Sequence, residues 1–99
     1  MKKNYRIRSI LHTGVEGKRY TSRTDGRYPF RINRIVQFDE KDIIVGEKFC
    51  LNYIYDEDGN EYRWKKRTSY VVDWDYVFDN VIRIETYCSI YEFEEIKGD

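Results

Sequence analysis

Cationic and aromatic side chains alternate in two stretches of the chain, at residues 18–34 and 63–67. The residues that carry this pattern are Arg19, Tyr20, Arg23, Arg27, Tyr28, Arg31, Arg63, Trp64 and Lys66. Cations hold phosphates and aromatic rings stack on unpaired bases, so the composition is typical of a surface that binds RNA or single-stranded DNA. Tyr, Trp and Arg are also enriched among the residues that dominate the energy of protein–protein interfaces. These nine residues are therefore candidates for binding either a protein or a nucleic acid.

The charge of the chain differs strongly between its two parts. Residues 1–34 carry ten Lys and Arg against two Asp and Glu, a local net charge of +8. Residues 35–99 carry eight against sixteen, a local net charge of −8, so the total is zero. Two interpretations follow: basic strands pair with acidic strands inside the molecule, or an exposed basic face steers and binds a partner. The opposite charges are also compatible with a homodimer in which basic and acidic regions meet.

Few residues are suited to catalysis or to metal binding. His12 is the only histidine, and Cys50 and Cys88 lack both a neighbouring histidine and a CxxC spacing. Both cysteines are therefore predicted to be reduced and buried or half-buried in strands. The acidic run at residues 56–61 has Glu61 where an EF-hand calcium loop requires glycine, which predicts a hairpin turn instead. We expect a protein that is not an enzyme and that uses no metal and no cofactor.

The elements that position the candidate residues are predicted to be strands. The chain has no Ala and only two Leu, against 11 Ile, 7 Val and 10 Tyr. β-Branched and aromatic residues favour a pleated, half-buried surface, whereas Ala and Leu favour helices. We predict a single all-β domain over residues 1–99, with seven or eight short strands and little or no helix. Its predicted form is a small antiparallel barrel, SH3-like or OB-like.

The candidate residues fall on three of the predicted strands, at residues 18–24, 27–38 and 61–67. Residues 18–24 and 27–38 are predicted to be two strands on either side of Asp25-Gly26, a dipeptide favoured in tight hairpin turns. Residues 61–67 and 70–78 alternate in polarity and are predicted to be two further, separate strands.

The last third of the chain carries a distinctive closing pattern. Thr86, Ser89, Tyr91, Phe93 and Glu94 fit a Thr-x-x-Ser-x-Tyr-x-Phe/Leu-Glu hairpin, which follows the segments at residues 68–72 and 81–86. This third of the chain resembles the ending of small all-β proteins of Firmicutes and their phages. The Ala-free composition, rich in Ile, Lys, Tyr and Asn, is similar to that of AT-rich Firmicutes coding. The resemblance implies a bacterial or phage origin and no particular activity.

The favoured function is a non-enzymatic module that recognises another protein, as a bacterial or phage regulator or inhibitor. The alternative is a nucleic-acid-binding barrel that uses residues 18–34 and 63–67, and a third hypothesis is a ligand-binding aromatic pocket. Clustering of Arg27, Arg31, Arg63 and Lys66 away from carboxylates favours nucleic acid, whereas an exposed Tyr and Trp patch or an open sheet edge favours protein. No apolar run is long enough for a membrane helix, and no apolar segment follows Met1 as in a signal peptide, so a cytoplasmic location without a membrane partner is expected.

Overall fold

The computed structural model describes residues 2–14 and 17–97, and these form an all-β fold, as the sequence predicts. Within these residues, six antiparallel strands form one closed barrel. The strands are β1 (Lys3–Leu11), β2 (Ile35–Phe38), β3 (Lys48–Tyr55), β4 (Glu61–Phe78), β5 (Val81–Thr86) and β6 (Ile90–Ile96). Each strand pairs with its neighbours in the sequence, and β1 pairs with β6 to close the ring. This meander differs from the Greek-key strand order of an OB-fold.

The predicted number of seven or eight strands is wrong, partly because two of the predicted strands are halves of one. Residues 61–67 and 70–78 both belong to β4, since no Gly, Pro, Asn or Asp stands between them to turn the chain. The pairing is irregular at Thr68, whose hydroxyl group accepts a hydrogen bond from the Phe49 N–H at 3.2 Å and donates one to the Ser69 carbonyl oxygen at 2.7 Å. A polar side chain thus bridges the irregularity and allows the extended backbone to continue.

The strand predicted at residues 18–24 is also wrong, and of the strand predicted at residues 27–38 only Ile35–Phe38 is a strand. Residues 17–34 connect β1 to β2 and make a single isolated bridge, between Leu11 and Ser22. Tyr20 has a backbone φ of +69°, which lies outside the extended region. Tyr28–Arg31 form a 3₁₀ turn, which Pro29 favours because its ring fixes φ and a helix start needs no N–H donor there.

Aliphatic and aromatic side chains fill the barrel interior. Fully buried aliphatic members include Ile7, Val36, Leu51, Ile82 and Ile84. Phe38 lies at the centre of an aromatic cluster: its ring stacks on Tyr5 at 4.1 Å between centroids and meets Phe49 and Phe93 edge-on at 5.0 and 5.3 Å. Each such ring pair adds about 0.5–1.5 kcal/mol beyond the burial of its area. This cluster joins β1, β2, β3 and β6 into one core.

The two cysteines are exposed and free, so their predicted burial is wrong. Cys50 alternates along β3 with the buried Phe49 and Leu51 and therefore points to the outer face of the barrel. Cys88 lies in the short turn between β5 and β6. Because Phe49 points into the core, the alternation of side chains along β3 places Cys50 on the outer face.

Residues 61–67 of β4, here called the projecting half, extend beyond β5 at one end of the barrel. β5 pairs with β4 from Val71 onward, whereas residues 61–67 pair with β3 alone. Across residues 2–14 and 17–97, no backbone group of residues 61–67 forms a hydrogen bond outside this pairing. The projecting half therefore has one free edge.

Candidate functional site

A cleft opens between the projecting half of β4 and the 3₁₀ turn. Its volume is about 700 Å³, within the range of known ligand sites. The side chains that line it are those of Arg27, Phe30, Arg31, Arg34, Tyr53, Tyr62, Trp64 and Lys66. We call it the cationic cleft, because four of these residues are cations and the other four are aromatic.

The floor of the cationic cleft is the interior face of β3 and β4. Trp64 lies opposite Tyr53 in the antiparallel ladder and Lys66 lies opposite Leu51, and directly opposed residues point to the same side of a sheet. Leu51 and Tyr53 point into the barrel and are each 1% exposed, so Trp64 and Lys66 share the interior side. Trp64 is nevertheless 58% exposed, because the projecting half extends beyond the closed part of the barrel. An indole ring and an ammonium group thus occupy positions that elsewhere hold core residues.

The wall of the cleft is the 3₁₀ turn and the residues that follow it. The Phe30 N–H donates to the Arg27 carbonyl oxygen and the Arg34 N–H donates to the Arg31 carbonyl oxygen, both at 3.2 Å. The Arg34 carbonyl oxygen accepts a hydrogen bond from the Ile7 N–H at 2.9 Å, which ties the wall to β1. Arg27, Arg31 and Arg34 all line the cleft from this segment. The cations are therefore carried by an ordered segment anchored to the barrel.

Among the residues that the structure describes, three of the four cations in the cleft have no carboxylate partner. In the described part of the chain, no Asp or Glu lies within ion-pair distance of the side chains of Arg27, Arg31 or Lys66. Arg34 is the exception, because its Nε lies 3.1 Å from Oε2 of Glu57. Arg31, burial and Arg27 together hold the pKa of Lys66 below its ordinary value, as expected where like charges face one another. An anion bound in the cleft would relieve this repulsion.

Intramolecular pairing accounts for part of the basic excess in residues 1–34. Basic side chains of β1 and of the β1–β2 connection meet carboxylates on β5 and β6. The pairs are Lys3 with Glu95, Arg6 with Glu94, and Arg19 with Glu85. Pairing inside the molecule therefore explains some of the basic residues, whereas Arg27 and Arg31 stay outside these pairs.

Four of the nine residues predicted from the sequence line the cleft: Arg27, Arg31, Trp64 and Lys66. Arg63 does not, because it lies on the opposite face of β4 and its Nε is 3.1 Å from Oε1 of Glu61. Of the four residues whose clustering would favour nucleic acid, Arg27, Arg31 and Lys66 therefore lie together and Arg63 does not.

Four other predicted residues have structural contacts outside the cleft. Arg19 donates to Glu85 at 2.7 Å and lies over the ring of Tyr20 at 4.6 Å. Arg23 donates to the Cys88 carbonyl oxygen at 2.6 Å and also lies against the ring of Tyr28, 4.1 Å from its centroid. Tyr28 is half-buried and packs against the core, behind the wall of the cleft. These residues hold the β1–β2 connection in place.

Four lining residues are not among the nine candidates: Phe30, Arg34, Tyr53 and Tyr62. Phe30 and Arg34 lie inside the predicted stretch at residues 18–34, and Phe30 is 65% exposed on the wall. Period-two alternation from Trp64 and Lys66 predicts Tyr62 on the same face. Tyr53 carries no such signal, because its place in the cleft depends on its pairing with Trp64 across the hairpin.

The hydroxyl group of Tyr53 is a buried polar group in the lining of the cleft. Its hydroxyl oxygen is inaccessible to solvent and has no hydrogen-bond partner within the described residues. Burial raises the pKa of Tyr53, while the charges of Arg31 and Arg34 act in the opposite direction. The ring lies edge-on to Tyr62, with 5.8 Å between centroids. The floor of the cleft therefore contains a buried hydroxyl group without a partner among the described residues, on a ring whose centroid lies 5.9 Å from the Arg34 guanidinium carbon.

A second cleft, of about 590 Å³, lies on the other side of Phe30. Its charged lining residues are Arg8, Arg23 and Glu57. Arg23 is already paired with Asp25, and Glu57 adds a negative charge, so an anion is less favoured here than in the cationic cleft.

Residues 2–14 and 17–97 contain no group of three His, Cys, Asp or Glu side chains that could hold a metal ion. The same residues include no helix with the length and apolar character needed to cross a bilayer. Comparison with known proteins finds no matching family, no matching curated protein and no matching solved structure. A functional assignment therefore depends on the chemistry of the cationic cleft itself.

Proposed function

We propose that this protein is a non-enzymatic binding module that binds single-stranded nucleic acid in the cationic cleft. The observation that carries the proposal is the position of Trp64 and Lys66, which share the interior face of the sheet and stay exposed opposite Arg27 and Arg31. Single-strand binding requires cations that follow the backbone and rings on which bases stack, and the cleft combines both.

The phosphate contacts are assigned to the cations without carboxylate partners. Arg27 and Arg31 lie on the wall and Lys66 lies on the floor, so a strand between them has cations on both sides. Each phosphate contact releases condensed counterions, and three contacts with a single strand give a slope of about −2 in log affinity against log salt concentration.

The base contacts are assigned to the exposed rings. Phe30 on the wall and Trp64 on the floor each expose more than half of their surface. Stacking of a base on an aromatic side chain contributes about 1–3 kcal/mol to the binding free energy. Every base can stack in this way, because each has a π-face. A stretch of a few nucleotides is the ligand length that a cleft of this volume fits.

Recognition of another protein is a second candidate function, and the free edge of the projecting half favours it. An extended peptide can add a strand to such an edge through backbone hydrogen bonds. The cytoplasmic location, the SH3-like type of barrel and the homodimer remain predictions from the sequence.

The first test is fluorescence anisotropy with labelled single-stranded RNA and DNA of about 12 nucleotides. We expect binding at about 50 mM salt that weakens steeply towards about 200 mM. The double variant Arg27→Glu with Arg31→Glu should reduce the affinity by more than about tenfold. The matched control is Arg63→Glu with Arg67→Glu, which changes the charge equally on the outer face of β4. Absence of binding at low salt, or an equal loss in the control, would refute the proposal.

A further inference from the structure

We infer that the cationic cleft selects among bases, because the buried hydroxyl group of Tyr53 and its two neighbouring arginines form a donor site for the acceptor edge of a guanine. This inference rests on the proposed function and adds a ligand preference to it. Stacking and phosphate contacts alone would leave the cleft indifferent to base identity.

The first support is the unpaired state of the Tyr53 hydroxyl group. The side chain is 1% exposed, and its oxygen has no hydrogen-bond partner within residues 2–14 and 17–97. Buried tyrosine hydroxyl groups usually have a partner, and a buried polar group without one requires an explanation, of which a functional role is one. A ligand group that pairs with this hydroxyl would remove an unfavourable feature of the free protein.

The second support is the position of Tyr53 within the cleft. Tyr53 and Trp64 are directly opposed in the ladder, so a base stacked on the Trp64 ring brings its edge towards Tyr53. Arg34 lies 5.9 Å from the Tyr53 ring centroid, and Arg31 also lines the cleft. The charges of both arginines lower the pKa of Tyr53 against the larger effect of burial, which is consistent with a hydroxyl group directed towards them.

The chemistry of these groups selects the base. Guanidinium groups only donate hydrogen bonds, and a tyrosine hydroxyl group can donate one as well. Guanine presents two adjacent acceptors, O6 and N7, on one edge. Adenine and cytosine present an amino group at the corresponding place, and a donor facing donors is unfavourable. Uracil presents a single acceptor, O4, on this edge, so guanine, with two, is the base that this arrangement fits best.

The test uses labelled oligouridylates of about nine nucleotides with G, A or C at the central position. We expect the wild-type protein to bind the G-containing strand about tenfold more tightly than the A- or C-containing strands. Tyr53→Phe keeps the ring and removes only the hydroxyl group, so it should lose this preference, and the G- and A-containing strands should then bind with equal affinity. The control is Tyr55→Phe, the same change two residues along β3 and outside the cleft, which should keep the preference. Circular dichroism and thermal unfolding verify that both variants fold.

The outcomes separate the two proposals. Equal, salt-dependent binding of all three strands by the wild-type protein overturns the base preference and leaves the proposed function standing. A preference that persists in Tyr53→Phe also overturns the role of Tyr53. Absence of binding to every strand at low salt overturns the proposed function, and the base preference with it.

Discussion

Tyr53 and Trp64 lie directly opposite each other in the β3–β4 ladder and point to the same side of the sheet, yet Tyr53 is buried and Trp64 is more than half exposed. The boundary between the barrel core and the cationic cleft therefore runs between these two neighbours. Substitutions on the exposed side should affect binding, and substitutions on the buried side should affect the free energy of unfolding.

Replacement of Trp64 by alanine should reduce the affinity for single-stranded oligonucleotides by about tenfold or more, because it removes a stacking surface. The free energy of unfolding should change little, since the ring is exposed. Anisotropy titrations and urea unfolding measure the two effects. Tyr70→Ala, an exposed ring on the same strand outside the cleft, is the control and should leave the affinity unchanged. Equal losses in both variants would contradict the assignment of Trp64 to the cleft.

Replacement of Tyr53 by phenylalanine should raise the free energy of unfolding by about 1 kcal/mol, because it removes a buried hydroxyl group that has no partner. Tyr76→Phe removes a hydroxyl group that donates to Glu40 at 2.7 Å and should instead lower the free energy of unfolding. Urea unfolding of the two variants tests this opposite sign. Destabilisation by Tyr53→Phe would mean that the hydroxyl group has a stabilising partner in the free protein.

The protein should lose stability as the pH rises from about 10 to about 12. Burial raises the pKa of Tyr5 to about 12, a hydrogen bond to Glu40 raises that of Tyr76 to about 12, and burial also raises the pKa of Tyr91. The unfolded chain loses these protons near pH 10 while the folded protein keeps them, so the folded state binds more protons and the free energy of unfolding falls with pH.

Urea unfolding midpoints at about pH 9, 10 and 11 measure this loss. The Tyr91→Phe variant removes one of the tyrosines with a raised pKa, so its midpoint should fall less steeply than that of the wild-type protein. An identical fall in both proteins would exclude Tyr91 as a contributor.

Replacement of Glu57 by glutamine should increase the affinity for oligonucleotides by about two- to fivefold, because it frees the guanidinium group of Arg34 from its ion pair. The salt dependence should steepen, since one more cation becomes available to phosphate. Glu61→Gln, which frees Arg63 on the outer face, is the matched control and should have no such effect. Anisotropy titrations over a range of salt concentrations measure both quantities.

Local preferences of the sequence are sufficient to predict the class of this fold. The absence of Ala and the abundance of Ile, Val and Tyr predict strands, and the alternation in β1, β3 and β6 predicts their buried faces. The errors arise where tertiary structure decides. The chain continues as a strand through Thr68 because the Thr68 hydroxyl group contacts the Phe49 N–H. The path of residues 17–34 depends on their contacts with β1 and with the β5–β6 turn.

The candidate site is predictable only in part, for a related reason. Composition identifies Arg27, Arg31, Trp64 and Lys66, but it equally identifies Arg19 and Arg23, whose partners lie elsewhere in the fold. Glu85 is far from Arg19 in sequence, and only the closed barrel brings the two together. Arg63 lies outside the cleft because alternate residues of β4 face opposite sides of the sheet. The pairing of Trp64 with Tyr53 determines which of them face inward.

The free edge of the projecting half has a further consequence for how copies of this chain behave together. An unpaired edge is a template for edge-to-edge pairing and aggregation, and a chain with zero net charge has no overall repulsion to prevent it. Arg63, Lys65 and Arg67 alternate along this edge, so two such edges in contact would oppose cation against cation. Resistance to self-association therefore depends on the charges of this one strand. Because salt screens those charges, it should make the free protein more prone to self-association.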